Sequence, residues 1–433
     1  MTRAVVLGGG FAGVLAATVL ARHVDEVVVV EGDRYPAGPG PRRGLPQSHH
    51  SHVLVAGGAR ALERLLPGTL QALYAGGAQL RGLPGDALIL AGEGWFHRLD
   101  TEAYLISCSR GLLDHVVRER ARVQVRTGTR ALGLTGDADR VTGVVLDPSD
   151  KIEADLVVDA TGRRSKARAW LAELGGPEIE EVTVSSGLAY STRVYRAPLS
   201  EIPAVMLHPR PARGATVFPI EGDRWIVTLT GTRGAEPPAT VAGFEEFARS
   251  LPDPIVADLM AAATPLGGVR PYRDTANRRR YYERARLPSG FVVIGDAAVA
   301  VNPVYSHGMS VAALGAERLD RELARGGTDL QSAMAEEAEL SWRMATRQDA
   351  GGGPATPFQQ QVRTRVSRAA LSSPELAERM FRAQTLLEAG EPDGEAMFRA
   401  MTGDQDPLLT AEEAIGQYPA LSRVAAAGGA IHR

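Results

Sequence analysis

An unbroken apolar run, Ala4 to Leu7, leads into Gly8-Gly9-Gly10, and a second, Val27 to Val30, ends at Glu31. Short continuous runs bounded by turn residues predict strands buried on both faces, and the apolar stretch between them predicts a helix through about Arg22. The pattern recurs at "ADLVVDATG", a strand ending at Asp159, and at "GFVVIGD", a strand ending at Ile294. Beyond it a loop holds Pro303, and His307-Gly308-Met309 opens an amphipathic helix. "SCSRGLLDHVVRERA" predicts another helix, with Ser109 as its N-cap and Leu112, Leu113, Val116 and Val117 on one face. From about Ser185 to Gly231 the period becomes two, in "SGLAYSTRVYRAP", "GATVFPI" and "RWIVTLTG", which predicts antiparallel strands. "GFEEFARSLPDPIVADLMAAA" gives two short helices. After Met344, "QDAGGGPATP" reads as a hinge into helical segments that end near Ala427 and form a cap or lid.

Two of these turns carry chemistry. Gly8, Gly10 and Gly13 form a G-x-G-x-x-G with Phe11 and Ala12 at the helix start. Such glycines allow a tight turn and close approach of backbone to a pyrophosphate resting on the helix N-terminus. Glu31 ends the next strand about 20 residues on, where an acid binds ribose hydroxyls. At the far end of the chain, Asp296 can accept from hydroxyls such as those of a ribityl chain. The helix start after it offers unpaired N–H groups to an anion. The two halves predict one bound dinucleotide cofactor.

A third piece joins them: Asp159 at a strand end, Thr161-Gly162, and a basic run from Arg163 to Arg168. The order of glycine fingerprint, middle Asp159 to Gly162 motif and late Gly295-Asp296 motif resembles the single-component FAD monooxygenases of the para-hydroxybenzoate hydroxylase fold. The match spans most of residues 1 to 345. The resemblance implies FAD as cofactor, NAD(P)H as transient reductant and dioxygen as co-substrate. It implies an α/β fold with a Rossmann-like FAD-binding domain (1–75, 100–180 and 270–345), an inserted antiparallel-sheet substrate domain (76–99 and 181–269) and a C-terminal helical cap (346–433). It also implies that Asp296 contacts the ribityl chain, and that the helix opened by His307, Gly308 and Met309 faces pyrophosphate and flavin. The Pro/Gly/His loop at residues 40–58, after the second strand, would run beside the flavin with Arg42, Arg43 and Gln47 as candidates. Arg110 would contact FAD, although a helix dipole disfavours a cation in the first turn. His49, His50 and His52 lack an accompanying acid or Cys at ligand spacing and read as ordinary loop histidines, so no metal is expected.

In that family a flavin hydroperoxide delivers the oxygen, and the protein keeps it dry and aims it. The substrate strands offer no paired acid and base. Tyr190, Arg193 and Tyr195 lie there, with Tyr190 and Arg193 on opposite faces, and no side chain is assigned as catalytic. Val299 stands where aromatic hydroxylases carry His, and Ser306-His307-Gly308-Met309 replaces their Gly-Gln-Gly-Met. With "RRGLPQSHHSHVL" and "NPVYSHGMS", the chain looks most similar to actinobacterial epoxidases acting on polyene polyketides in polyether biosynthesis. The implied reaction is epoxidation of an apolar polyketide or terpenoid. A flavin aromatic hydroxylase, a geranylgeranyl-reductase-like flavoprotein and a non-redox FAD scaffold that cyclises its substrate are the alternatives. Flavin halogenases resemble this family but need an early lysine and a W-x-W-x-I-P motif. Here no lysine precedes Lys151, and Trp95, Trp170, Trp225 and Trp342 are isolated.

Composition changes this picture little. A length of 433 residues suits two or three domains, and a net charge of −3 implies no general attraction to nucleic acid. The lone Cys108 excludes an intramolecular disulfide. No apolar stretch reaches the ~18 residues of a membrane span, and a strand begins at once, so the protein reads as soluble and cytoplasmic. Nothing in the pattern fixes an oligomeric state.

Overall fold

The fold was analysed on a computed structural model that describes residues 2–197, 202–208, 213–351, 356–387, 394–404 and 406–429. Strand β1 (Arg3–Leu7), helix α1 (Phe11–Leu20) and β2 (Glu26–Glu31) form the first βαβ unit. Strands β3 (Ala87–Ala91) and β4 (Gly94–Trp95), helix α2 (Arg110–Ala121), β5 (Val125–Thr127) and β6 (Leu156–Asp159) follow. β12 (Phe291–Val293), much later in the chain, completes a five-stranded parallel sheet in the order β12-β6-β1-β2-β5. The first strand of the chain is therefore central. Its residues Ala4 to Leu7 are fully buried, which is why it reads as an unbroken apolar run.

The region of period two forms β7 (Ala189–Arg196), β8 (Ala204–Leu207), β9 (Arg213–Ile220) and β10 (Arg224–Gly231). With β11 (Thr264–Tyr272) and the early β3 and β4 they make a seven-stranded sheet, β11-β7-β10-β9-β8-β3-β4. All its pairs are antiparallel except β8 with β3. Alternation gives this sheet two unlike faces. Trp225, Val227 and Leu229 of β10 and Ala215 and Val217 of β9 share an apolar cluster with helices α3 (Val241–Arg249) and α4 (Ile255–Ala261). The opposite face carries Tyr190, Met206, Thr216, Phe218, Thr228 and Thr230 and borders a cavity.

Helix α5 (Gly308–Ala324) packs on α1, and α6 (Leu330–Asp349) packs on α5. α6 runs five residues past Met344, so the break in the chain falls at Gly351 rather than where the composition shifts; residues 352–355 of the hinge lie outside the described residues. Beyond it come α7 (Pro357–Ala369), α8 (Pro374–Gln384), α9 (Gly394–Thr402), α10 (Ala411–Gly416) and α11 (Pro419–Gly429). These helices divide between two surfaces. Leu371, Ala377 and Phe381 join the cluster of Ile89, Phe96 and Phe218, whereas Tyr418, Leu421 and Val424 cover the apolar face of the seven-stranded sheet.

Arg278 to Arg280, a run of three cations that reads from sequence as a solvated turn, form a strand with Arg279 and Arg280 buried. Arg280 pairs with Glu181 at 2.8 Å, and Arg279 with Glu283 at 2.8 Å and with Glu339, because a buried guanidinium requires a carboxylate partner. No helix among the described residues is long and apolar enough to cross a membrane.

Candidate active site

The turn after β1 is built around two close approaches. Gly8 has φ +95°, and a Cβ there would lie 2.6 Å from the carbonyl oxygen of Ala160. A Cβ on Gly13 would lie 1.8 Å from the Gly8 carbonyl oxygen, so only hydrogen lets α1 pack on the turn that precedes it. Gly10 is the N-cap of α1 and offers no side-chain cap; Gly10, Phe11 and Ala12 line the cavity. The first N–H groups of α1 are thus left for a ligand.

Glu31 ends β2 and lines the same cavity. Its Oε2 accepts from Gly9 N at 2.7 Å and pairs with Arg42 Nη2 at 2.8 Å, while Oε1 accepts from Asp33 N at 2.7 Å. Arg42 also donates to the Gly9 carbonyl at 3.0 Å. The structure therefore gives Arg42 the task of fixing Glu31 and the glycine loop, a tie the sequence did not suggest. Arg43, by contrast, is exposed and is not part of the cavity wall. Gln47 lines the cavity and donates to the Tyr272 hydroxyl at 2.8 Å.

The late motif supplies the second wall. Gly295, at φ +58°, opens a single 3-10 turn that turns Asp296 to the cavity. The Asp296 carboxylate makes no hydrogen bond or ion pair to the described residues, and burial raises its pKa above the ordinary value against the pull of Arg163 and Arg110. A Cβ on Gly308 would lie 3.5 Å from Asp296 Oδ1, so this acceptor stands beside the start of α5. Pro303, Gly308 and Met309 line the cavity, and His307 is the N-cap of α5 without capping it through its side chain. The His307 ring is held from both sides, Nδ1 at 3.0 Å from Ser341 Oγ and Nε2 at 3.0 Å from the Gln384 carbonyl. A carbonyl only accepts, so Nε2 carries the proton and Nδ1 accepts from Ser341.

The middle motif, whose Asp159 and Gly162 are the candidates for cofactor contact, divides its work between brace and wall. Asp159 is fully buried; Oδ1 accepts from Thr161 N at 2.9 Å and Thr161 Oγ1 at 2.6 Å, and Oδ2 accepts from Ser165 Oγ. Asp159 holds the turn from beneath, and its neighbours Ala160, Thr161 and Gly162 form the wall. Arg110 lines the cavity at the first residue of α2, where Ser109 Oγ caps Leu112 N at 3.2 Å. Asp114, one turn on, pairs with Arg110 Nε at 2.7 Å and offsets the unfavourable helix dipole.

On the side of the seven-stranded sheet the cavity has residues that the sequence did not single out. Of the three polar candidates on β7, Tyr190 faces the cavity, whereas Arg193 pairs with Glu245 at 3.2 Å and Tyr195 joins the apolar cluster behind the sheet. Tyr190 stacks on Tyr272 with ring centres 5.1 Å apart, and His50 meets Tyr190 edge-on at 4.8 Å. His50 Nδ1 lies 2.9 Å from Thr192 Oγ1, Thr192 2.8 Å from Thr228, and Thr228 2.8 Å from Ser51 Oγ. The threonines at alternate positions of "RWIVTLTG" were the signal available for this face.

Burial above all, with His52, His49 and Arg270 nearby, lowers the His50 pKa to about 3 from an ordinary 6.5, and burial takes His52 to about 4. Below pH 6.5 the unfolded chain takes up protons that the folded protein refuses until far lower pH, so stability falls as pH drops from about 6.5 towards 3. Urea-unfolding midpoints should drop between pH 7 and pH 5, and His50→Gln should flatten that fall. An unchanged slope in the variant would rule out His50 as a source.

Together these walls enclose a cavity of about 1560 Å³, more than the roughly 300–1,000 Å³ of most small-molecule sites. Gln360 and Ser367 of α7 and Thr385 after α8 close it from the C-terminal side. An unpaired carboxylate, two helix starts without side-chain caps and a glycine turn with no room for a Cβ suit a ligand that carries hydroxyls and a pyrophosphate.

Comparison with known proteins agrees with that chemistry. The profile of the FAD binding domain family matches residues 107–348, and that of the FAD dependent oxidoreductases residues 4–178. Protein Rv3254 of Mycobacterium tuberculosis (strain ATCC 25618 / H37Rv) is 32% identical over 358 residues, 77% of this chain and 75% of that protein. The flavin-dependent brominase Bmp2 superposes with a TM-score of 0.66 at 16% identity, over 92% of this chain and 97% of its own. The p-nitrophenol 4-monooxygenase PnpA from Pseudomonas putida DLL-E4 gives 0.64 at 22%, over 92% and 99%. The Diels-Alderase PyrE3 gives 0.62 at 18%, over 90% and 81%. At such identities these three likenesses are of the fold alone.

Proposed function

Since this chain belongs to the FAD binding domain family, the FAD-dependent flavoprotein monooxygenases, we propose that it is an epoxidase, which adds one atom of dioxygen to a carbon–carbon double bond of a polyketide or terpenoid chain. The second oxygen leaves as water, with NAD(P)H giving the two electrons. Bound FAD supplies the redox chemistry that activates dioxygen. The residues of this chain bind, orient and exclude water. Glu31, fixed by Arg42, accepts from the adenosine ribose, Asp296 accepts from the ribityl hydroxyls, and the starts of α1 and α5 donate to the pyrophosphate. On the same reading, residues 1–75, 100–180 and 270–345 form the FAD-binding domain, 76–99 and 181–269 the substrate domain, and 346–433 the cap.

One observation carries the choice of epoxidation over phenol hydroxylation. The imidazoles of His50, His52 and His208, which all line the cavity, are held neutral by burial, with pKa values lowered to about 3, about 4 and about 4. Bases that weak do little to remove a phenol proton, which hydroxylation of an activated ring gains from. An alkene needs only to be positioned in a dry site.

The test uses the FAD-loaded protein, NAD(P)H, 18O2 and farnesol as an alkene probe. The expected product is heavier by one 18O per epoxide formed. Two added hydrogens without label would indicate a reductase, and a hydroxylated phenol formed from 4-nitrophenol while farnesol stays intact would return the protein to the aromatic hydroxylases. No oxygen uptake with any acceptor would favour the non-redox scaffold.

A further inference from the structure

The face of the seven-stranded sheet that borders the cavity is polar where an alkene-binding wall needs only to be apolar. Alternation sorts β9 and β10 cleanly. Ala215, Val217, Val227 and Leu229 pack behind the sheet, and Thr216, Thr228 and Thr230 face the cavity. Thr192, Thr228 and Thr216 lie in one row across three neighbouring strands, roughly 4.8 Å from strand to strand.

The hydroxyls of this wall are not equivalent. Thr228 is satisfied by Thr192 and by Ser51, both at 2.8 Å. The side-chain hydroxyls of Thr216 and Thr230 make no hydrogen bond to the described residues, although Thr230 is only 6% exposed. Both residues line the cavity and their hydroxyls are open to it, where valine would fill the same volume in a strand and offer a ligand no hydrogen bond. The residue paired with Thr230 across the sheet is Gly214, and a Cβ there would lie 2.6 Å from the Leu207 carbonyl oxygen and 2.9 Å from Thr230 Oγ1. The glycine leaves that hydroxyl uncovered on the cavity side. Met206 and Phe218 on the same wall supply apolar contact between the hydroxyls.

We propose that the substrate is an oxygen-bearing chain and not a plain hydrocarbon, and that Thr216 and Thr230 bind its neutral hydroxyl or carbonyl oxygens. This rests on the monooxygenase reading above and replaces the apolar substrate expected from sequence with an amphiphilic one. A hydroxyl both donates and accepts, so the pair suits alcohols and ketones, and neither threonine supplies a positive charge for a carboxylate.

Farnesol and β-farnesene share a carbon skeleton, and β-farnesene carries a further double bond in place of the hydroxyl. Titrated into the oxidised, FAD-loaded protein without NAD(P)H, each is followed by its perturbation of the flavin absorbance. Farnesol is expected to bind about tenfold more tightly than farnesene, the worth of one hydrogen bond to an otherwise unpaired group. In the double variant Thr216→Val/Thr230→Val the ratio should fall to about threefold or less, with FAD content intact. Equal affinities in the wild type, an unchanged ratio in the variant, or no perturbation by either compound overturns the proposal. Because no reductant is present, a farnesol preference without later oxygen uptake would sink the monooxygenase reading while leaving the threonine site standing.

Discussion

Gly13→Ala is expected to yield protein that purifies without its yellow cofactor. The added methyl would sit 1.8 Å from the Gly8 carbonyl oxygen, with a further contact at 3.3 Å to the Ala160 side chain. Neither the backbone of the turn nor the central strand behind it can give by more than an ångström without unpairing β1. Helix α1 must therefore swing away, and its N-terminal N–H groups leave the position of the pyrophosphate. Overpacking of this kind costs about 1–3 kcal/mol even where side chains can adjust, and more against backbone. FAD occupancy, read as the ratio of flavin to protein absorbance, should fall to about a tenth of wild type or lower. Gly268→Ala, whose Cβ meets nothing within 4 Å, serves as the silent control. Full occupancy in Gly13→Ala would mean that the cofactor does not rest on this turn.

Asp296→Ala should have the next largest effect. Its carboxylate is the one acid in the late motif, it has no partner among the described residues, and it stands beside the first residue of α5. Losing an acceptor for ribityl hydroxyls in a site sheltered from water costs about 1–3 kcal/mol, or roughly 10- to 100-fold in the FAD dissociation constant. Asp296→Asn retains one acceptor oxygen and should fall between. Fluorescence titration of the apoprotein with FAD measures both. An unchanged dissociation constant in the alanine variant would remove Asp296 from the site.

Glu31→Ala separates two roles for one acid. It should weaken FAD binding through the adenosine while leaving the flavin spectrum nearly unchanged. It should also destabilise the apoprotein, because Arg42, 6% exposed, loses its nearer carboxylate at 2.8 Å and keeps only Asp33 at 3.7 Å. Weaker binding with unaltered apoprotein stability would show that the pair contributes nothing to the fold.

The parallel sheet was legible because each of its core strands is a run of Ala, Val, Leu and Ile that has no second reading, and the turns at Gly8 and Gly295 follow directly on such runs. Ser109 was legible as a cap for a similar local reason. What escaped the sequence depends on residues brought together from afar. His50 meets Thr192 across 142 positions and Thr192 meets Thr228 across 36, so no window along the chain contains the cluster. Asp159 lay at the right strand end for a ligand, but period alone cannot tell an acid that points at the cavity from one that braces the turn below it. Arg42 and Arg43 are adjacent and alike in type; only burial separates the one that anchors Glu31 from the one in solvent. The contribution of α7 and α8 to the cavity was invisible because their sequences resemble ordinary amphipathic helices.

The hold on His307 has a consequence in time. Its ring is braced by the carbonyl of Gln384, and Gly57 N donates to Thr385 O at 2.8 Å. A ribosome that has made β1, α1, β2 and the whole late motif has still not made the segment that locks the start of α5. The nascent chain can assemble its parallel sheet early, yet the cofactor wall is fastened only after residue 385 has left the exit tunnel. Capture of FAD is then expected at the end of synthesis. A chain cut short at the hinge would carry every recognisable nucleotide motif and still be born with its binding site ajar.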